Sequence, residues 1–358
     1  MQRLRVDSSS FIVKSLAAED RSRTLQLARE ALFYSEFANV LEDASWTAKV
    51  YFTDGDMETG RKLIVLEDLS RDYVQSGYYF GNCSPHNWSK DLEGVTGVGS
   101  IKERQKLTKH ITLHAFKLAA TIHSRFWKPR TAVIEHCWLR GVDWMQGKGQ
   151  AEWTQHQQAA LAYWTSTRSK IADKSTTVKW NPHLVACMDA SFAKVSWTDF
   201  QSRIQNPLYG YSLVHGDFHP ANMMWKGGSP SSINESSSSS QDSLILLDWE
   251  VVGVGSGPQD CAQFVISHTY PEERRLYEDE LIQEYYKSLI AGGVSPEEYS
   301  LQQCKSDYVA GGVSRWIWLL GYTSGVCPDD WVQFFHDQVY EFIVDHGVTP
   351  ENIEMPRV

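Results

Sequence analysis

The chain has 358 residues, enough to bury a large core as one bilobal unit or two domains, and its 14 Trp, 16 Tyr and 14 Phe mark a folded sequence. A formal net charge of −10 argues against the basic face of a nucleic-acid binder, so no nucleic-acid partner is expected. No apolar run approaches the roughly 20 residues that a membrane helix needs. Six scattered cysteines without a CxxC pair, and an N-terminus without a signal-peptide apolar region, point to the cytoplasm.

In chain order, residues 3–6 alternate polar and apolar, Asp7, Ser8, Ser9 and Ser10 supply turn chemistry, and residues 11–14 form a second short strand, which together predict a hairpin. Leu25, Ala28, Leu32, Phe33, Phe37 and Val40 recur at helical steps and predict a helix over 20–41. Strands are expected at 48–53 and 63–67, with Asp54-Gly55-Asp56 as the turn between them. Residues 71–100 read as an irregular connection. Beyond them the periodicity predicts helices near 102–126, 152–170, 272–291, 302–322 and 331–346. The division that follows is a small sheet-plus-helix lobe over residues 1–70 and a larger, mainly helical lobe over 71–358.

The densest chemistry lies in His215-Gly216-Asp217-Phe218-His219-Pro220-Ala221-Asn222, followed by the apolar run 244–247 and then Asp248-Trp249-Glu250. The strands flanking the octet are expected to pair as a local hairpin. An Asp and an Asn five apart, with a second Asp closing an apolar strand, make a phosphoryl-transfer pattern. Asp217 takes the proton of a substrate hydroxyl, while Asn222 and Asp248 offer hard oxygen donors to magnesium. A turn-capping Asp, a loop-bonding Asn and a strand-end cap are the blander readings of the same three residues. A zinc pair of His215 and His219 is excluded, because Gly216 and Pro220 prevent the continuous helix it needs. The serine tract from Ser229 to Ser243 reads as an insertion at a hairpin tip. Such composition buries no core, and doubling a flexible loop costs only about 0.6 kcal/mol.

The octet resembles the catalytic loop of the aminoglycoside phosphotransferase and choline kinase superfamily, and Asp248-Trp249-Glu250 resembles its counterpart of the kinase metal-binding triplet. The nearest likeness is to the choline/ecdysteroid-kinase-like group, through Leu66-Glu67-Asp68-Leu69-Ser70, Leu118-Ala119-Ala120-Thr121-Ile122-His123 with Phe126-Trp127, and the octet itself. The resemblance implies an α+β, protein-kinase-like bilobal fold and an ATP- and Mg2+-dependent kinase acting on a hydroxyl of a small molecule. It implies a Lys14–Glu30 pair on the nucleotide phosphates, Glu67 and Leu69 at the adenine hinge, and Asp260 as a brace for the catalytic loop. His219 stands where related kinases often carry Lys, against the transferring phosphate or the substrate. Trp316, Trp318, Tyr322 and Trp331 are candidates for an acceptor pocket. One departure stands out: no glycine precedes Gly55, so the family's first strand and glycine-rich phosphate loop are expected to be missing. That keeps a second reading open, a pseudokinase-type scaffold or sensor. A third is a hydrolase that activates water with Asp217 and His219.

Overall fold

The computed structural model describes residues 1–6, 9–16, 22–23, 25–37, 45–128, 131–206, 208–227 and 242–358. Strands β1 (Gln2–Val6), β2 (Ser9–Leu16), β3 (Val50–Asp56) and β4 (Arg61–Glu67) form one antiparallel sheet in the order β1-β2-β4-β3. The N-terminal hairpin forms as its alternation predicts, with Gln2 opposite Val13, although residues 7 and 8 lie outside the described residues. Helix α1 (Arg29–Glu36) packs on β3.

Two expectations in this lobe need correction. The helix is shorter than its periodicity suggests among the described residues: Gln26 adopts φ 55°, a left-handed geometry that interrupts a helix, and Leu25 is exposed. Val40 lies outside the described residues. Asp54, Gly55 and Asp56 are not the turn but the end of β3. Gly55 lies against α1, where a Cβ would come within 2.7 Å of the Ala31 Cβ. The reversal falls four residues later, at Gly60 with φ 76°, and the Asp56 carboxylate accepts the Glu58 N–H at 2.9 Å to start it.

The second lobe is built from α2 (Ile101–Arg125), α3 (Gln150–Ala172), α4 (Pro182–Ala193), α5 (Trp197–Ile204), α6 (Gly257–His268), α7 (Pro271–Ala291), α8 (Leu301–Val326) and α9 (Asp329–Asp345). Five of these stand where the apolar periodicity places them. Helices α4, α5 and α6 were not expected. All twelve residues of α6 are buried, so it has no polar face to give a periodic signal. It packs against α8, α2 and α9 and sits directly behind the octet. No helix among the described residues is long and apolar enough to cross a membrane.

The strands flanking the octet do not pair with each other. Strand β6 (Tyr211–Val214) pairs with β9 (Gly253–Ser256), while β7 (Met223–Lys226) pairs with β8 (Ser243–Leu246). A short β5 (Val74–Gln75) extends the β7–β8 ladder. The Gly-Val-Gly-Ser run of β9 reads as a loop, yet a Cβ on Gly253 would meet the Arg140 carbonyl at 2.4 Å. Glycine is there for close backbone approach. The serine tract over 228–241 lies outside the described residues; β7 and β8 pair up to Lys226 and Ser243 on either side of it. The small sheet with its one helix, set against a mainly helical lobe, is an α+β protein-kinase-like bilobal fold.

Candidate active site

Between β6 and β7 the chain reverses through Gly216, whose φ of 79° favours glycine and whose Cβ would lie 2.6 Å from the Val251 carbonyl. Buried Asp260, in the first turn of α6, fixes this reversal from beneath. It accepts the His215 N–H at 2.8 Å and the Gly216 N–H at 3.2 Å. Arg315 approaches the Gly216 carbonyl at 3.5 Å. The His215 ring donates from Nε2 to the Leu247 carbonyl at 2.9 Å and accepts the Asp217 N–H on Nδ1 at 3.3 Å. One imidazole thus joins the octet to the strand end before Asp248. Burial lowers its pKa against the pull of Asp260, and the neutral tautomer fits both bonds.

The Asp217 carboxylate accepts from Gln263 Nε2 on Oδ1 and from Asn222 Nδ2 on Oδ2, each at 3.0 Å, and His219 Nε2 lies 3.3 Å from Oδ2. Burial pushes this carboxyl up. The charge and hydrogen bond of His219, together with the charge of Arg315, outweigh burial and hold it well below the usual carboxylate range. For His219, burial pulls the imidazole down, but Asp217 by charge and hydrogen bond, and then Asp248, raise it above its ordinary value. Its ring stacks on His268 with centroids 5.2 Å apart. The Asn222 amide nitrogen spends its hydrogens on the carbonyl and carboxylate of Asp217, which leaves its oxygen as the group to offer a cation.

Asp248 takes φ 66° and ψ 59°, a left-handed geometry uncommon outside glycine and concentrated at functional sites. Lys14 Nζ stands 2.7 Å from Glu30 Oε1 and 3.2 Å from Asp248 Oδ1, so a residue of β2, one of α1 and the end of the β8 segment converge. Burial lowers the Lys14 pKa, but Glu30 and Asp248 outweigh it and raise the group. The second lysine of the cluster was not expected. Lys62 Nζ is 2.5 Å from both Glu30 Oε2 and Glu250 Oε1, and it is 2% exposed. A signal for it existed, since Lys62 shares the strand phase of buried Ile64 and Leu66. Between Asp248 and Glu250, Trp249 is fully buried and stacks on Phe33 of α1 at 4.1 Å. That contact ties the helix carrying Glu30 to the triplet.

Lys14, Glu67, Leu69, Asn222 and Asp248 border one cleft of about 310 Å³, with Ile12, Leu66, Met224 and Leu247 as its apolar walls. Glu67 is tied to Lys49, just before β3, by its N–H on the Lys49 carbonyl and its carboxylate on the Lys49 N–H. Asp217 stands beyond Asn222, at the inner end of the same loop. Hard oxygen donors suit Mg2+ here: Asn222 and Asp248 border the same cleft, and carboxylate oxygens of Glu30, Asp248 and Glu250 come within 4.8 Å of one another.

The four aromatic candidates for an acceptor pocket do not converge. Trp318 and Tyr322 stack at 5.5 Å and line a second cavity of about 270 Å³, bordered by Val251 and Arg315. Trp316 is buried against Phe335 and Trp331 packs on His86. Arg29, Arg140 and Arg315 line that second cavity too, with Glu152 and Asp143 as its carboxylates, so it is not the acidic aromatic box of a quaternary amine site.

The ecdysteroid kinase-like family model matches residues 155–292, less than half of the chain, and that stretch contains the octet and the Asp248 triplet. The resemblance to the aminoglycoside phosphotransferase and choline kinase superfamily, nearest to the ecdysteroid-kinase-like group, therefore holds there. Comparison with curated protein sequences finds none that matches. Similar solved structures include the choline kinase LicA from Streptococcus pneumoniae, with 15% identity over 96% of this chain and 89% of that one at a TM-score of 0.48. A Plasmodium vivax ethanolamine kinase shares 10% identity over 97% of this chain and 78% of that one, at 0.46. An aminoglycoside-3'-phosphotransferase of type VIII shares 14% over 95% and 87%, at 0.36.

Proposed function

We propose that the protein is an ATP- and Mg2+-dependent phosphotransferase that phosphorylates a hydroxyl group of a small molecule, residues 1–70 holding the nucleotide and 71–358 the catalytic loop and acceptor. The observation that carries this reading is the convergence of Lys14, Asn222 and Asp248 on one cleft that ends at the loop of Asp217. ATP would lie with its adenine against Glu67 and Leu69 and its phosphates toward Lys14. Lys14, held by Glu30, neutralises phosphate charge in a partly dry cleft. Asn222 and Asp248 would hold Mg2+, which when bound neutralises charge on the nucleotide phosphates.

Asp217 orients the acceptor hydroxyl and accepts its proton as the oxygen attacks the terminal phosphorus and the bond to the leaving diphosphate breaks. Its depressed pKa keeps it ionised, so it acts first as a positioned acceptor. Gln263 and Asn222 fix its two oxygens, and His219 supplies a cationic neighbour to the transferring group. The guanidiniums of the second cavity favour neutral or anionic hydroxylated acceptors over quaternary amines. The test is phosphate transfer from labelled ATP to a panel of hydroxylated small molecules, with wild type and Asp217→Asn. Asp217-dependent transfer supports the reading. ATP-independent behaviour, or phosphate release indifferent to any acceptor, contradicts it in favour of the scaffold or the hydrolase.

A further inference from the structure

We propose that His110 and His114 of α2, with Asp242 at the foot of β8, form a binding site for a divalent transition metal, and that Zn2+ is the ion its donors select. The two histidines are four apart on one helix and so share a face. Asp242, distant in sequence, comes to the same face: its Oδ2 lies 2.8 Å from His110 Nε2. One ligand atom from each of the three residues lies within 4.8 Å of the other two. Two imidazoles and one carboxylate, with water in the fourth place, form a tetrahedral zinc set.

The orientation of His114 carries the argument beyond a single hydrogen bond. Its Nδ1 lies 3.0 Å from the His110 carbonyl, which can only accept. The proton is therefore on Nδ1 and the lone pair on Nε2, the arrangement in which a backbone carbonyl sets the tautomer of a metal-binding histidine. Trp225 of β7 packs edge-on against both rings, at 5.7 Å and 5.2 Å, and limits their rotation. The His110–Asp242 bond holds one ring, and the carbonyl bond with Trp225 holds the second so that its spent nitrogen is Nδ1.

The site's position gives it a structural consequence. Strand β7 follows Asn222 directly and β8 leads to Asp248, with the ladder running from Met223–Leu246 to Lys226–Ser243. An ion held by Asp242 and α2 pins the outer end of the hairpin whose inner end presents both candidate magnesium ligands. The proposal does not depend on the kinase reading.

The test uses the full chain, freed of metal by chelator, in a Cys137→Ser background because Cys137 is exposed. Zn2+ is titrated calorimetrically and Co2+ by visible absorption, into this protein and its His114→Ala, Asp242→Asn and Asp248→Ala variants, with folding checked by circular dichroism. One Zn2+ per chain, a tetrahedral Co2+ spectrum and a Zn2+-dependent rise in Tm are expected, retained in Asp248→Ala. Both site variants should bind at least about tenfold more weakly and lose the rise in Tm. Equal binding by all proteins, or loss in Asp248→Ala alone, overturns the proposal. If His114→Ala fails to fold, the near-isosteric Asp242→Asn decides.

Discussion

In the octet, eight consecutive residues are held chiefly by hydrogen bonds to backbone groups: Asp260 on two N–H groups, neutral His215 on the Leu247 carbonyl, Asn222 on the Asp217 carbonyl. In the cluster beneath the sheet, Lys14, Glu30, Lys62, Asp248 and Glu250 come from four separate segments and are held by charge. The two regions meet where Trp249 packs on Phe33 and on His215, at 4.1 Å and 4.5 Å. The difference lies in what one lost partner leaves behind. In the loop it leaves an unpaired peptide group; in the cluster it leaves a buried, uncompensated charge.

The largest expected effect falls on activity, where Asp217→Asn keeps the loop's shape but removes the proton acceptor. Its kcat for acceptor phosphorylation should fall by about 10²–10⁴-fold with ATP affinity nearly unchanged. A fall of less than threefold would remove Asp217 from the chemistry. On stability the cluster should dominate. Lys62→Met takes one of two lysines from fully buried Glu30 and leaves its Oε2 unpaired, which should cost about 3–5 kcal/mol in denaturant unfolding. A loss below 1 kcal/mol would show that Lys14 alone can satisfy Glu30. Asp260→Ala, on the loop side, unpairs the His215 and Gly216 N–H groups and should cost about 1–3 kcal/mol for each group left buried. The two groups together reach about 2–6 kcal/mol, so a cost below about 1 kcal/mol would show that neither N–H depends on Asp260.

The smallest effect is on pH dependence. His219 has a folded pKa above 6.5, so the stability its charge contributes is complete below pH 6.5 and is lost as pH rises through the folded value. Asp217 has a folded pKa below 3.8, so its contribution is present above pH 3.8 and is lost as pH falls through the folded value. Both contributions are in place between these limits. The Tm difference between wild type and His219→Asn should therefore be widest near pH 5 to 6 and shrink toward alkaline pH. A difference that grows with pH would reverse the assignment of charge to His219.

The same contrast governs how much of the molecule could be read in the sequence. The octet and the Asp248 triplet are contiguous, so their residue types and spacing could be read directly, and amphipathic helices such as α2 and α9 announced themselves by period. What escaped depends on distant packing. Buried α6 has no polar face, and β9 is a glycine run chosen for backbone approach. The pairing of β6 with β9 joins segments separated by the whole β7–β8 hairpin. Lys62 was legible only through strand phase, because a lysine between Arg61 and Leu63 otherwise reads as surface. Gly55 and Gly60 look alike in sequence, and only the approach of α1 to Gly55 separates the strand end from the turn.

The most direct measurement is calorimetric titration of ATP into the full chain, with and without Mg2+, for wild type and Asp248→Ala. The account predicts micromolar binding to wild type that depends on Mg2+ and is lost in Asp248→Ala. Binding that ignores both Mg2+ and Asp248, or no binding at all, would contradict it.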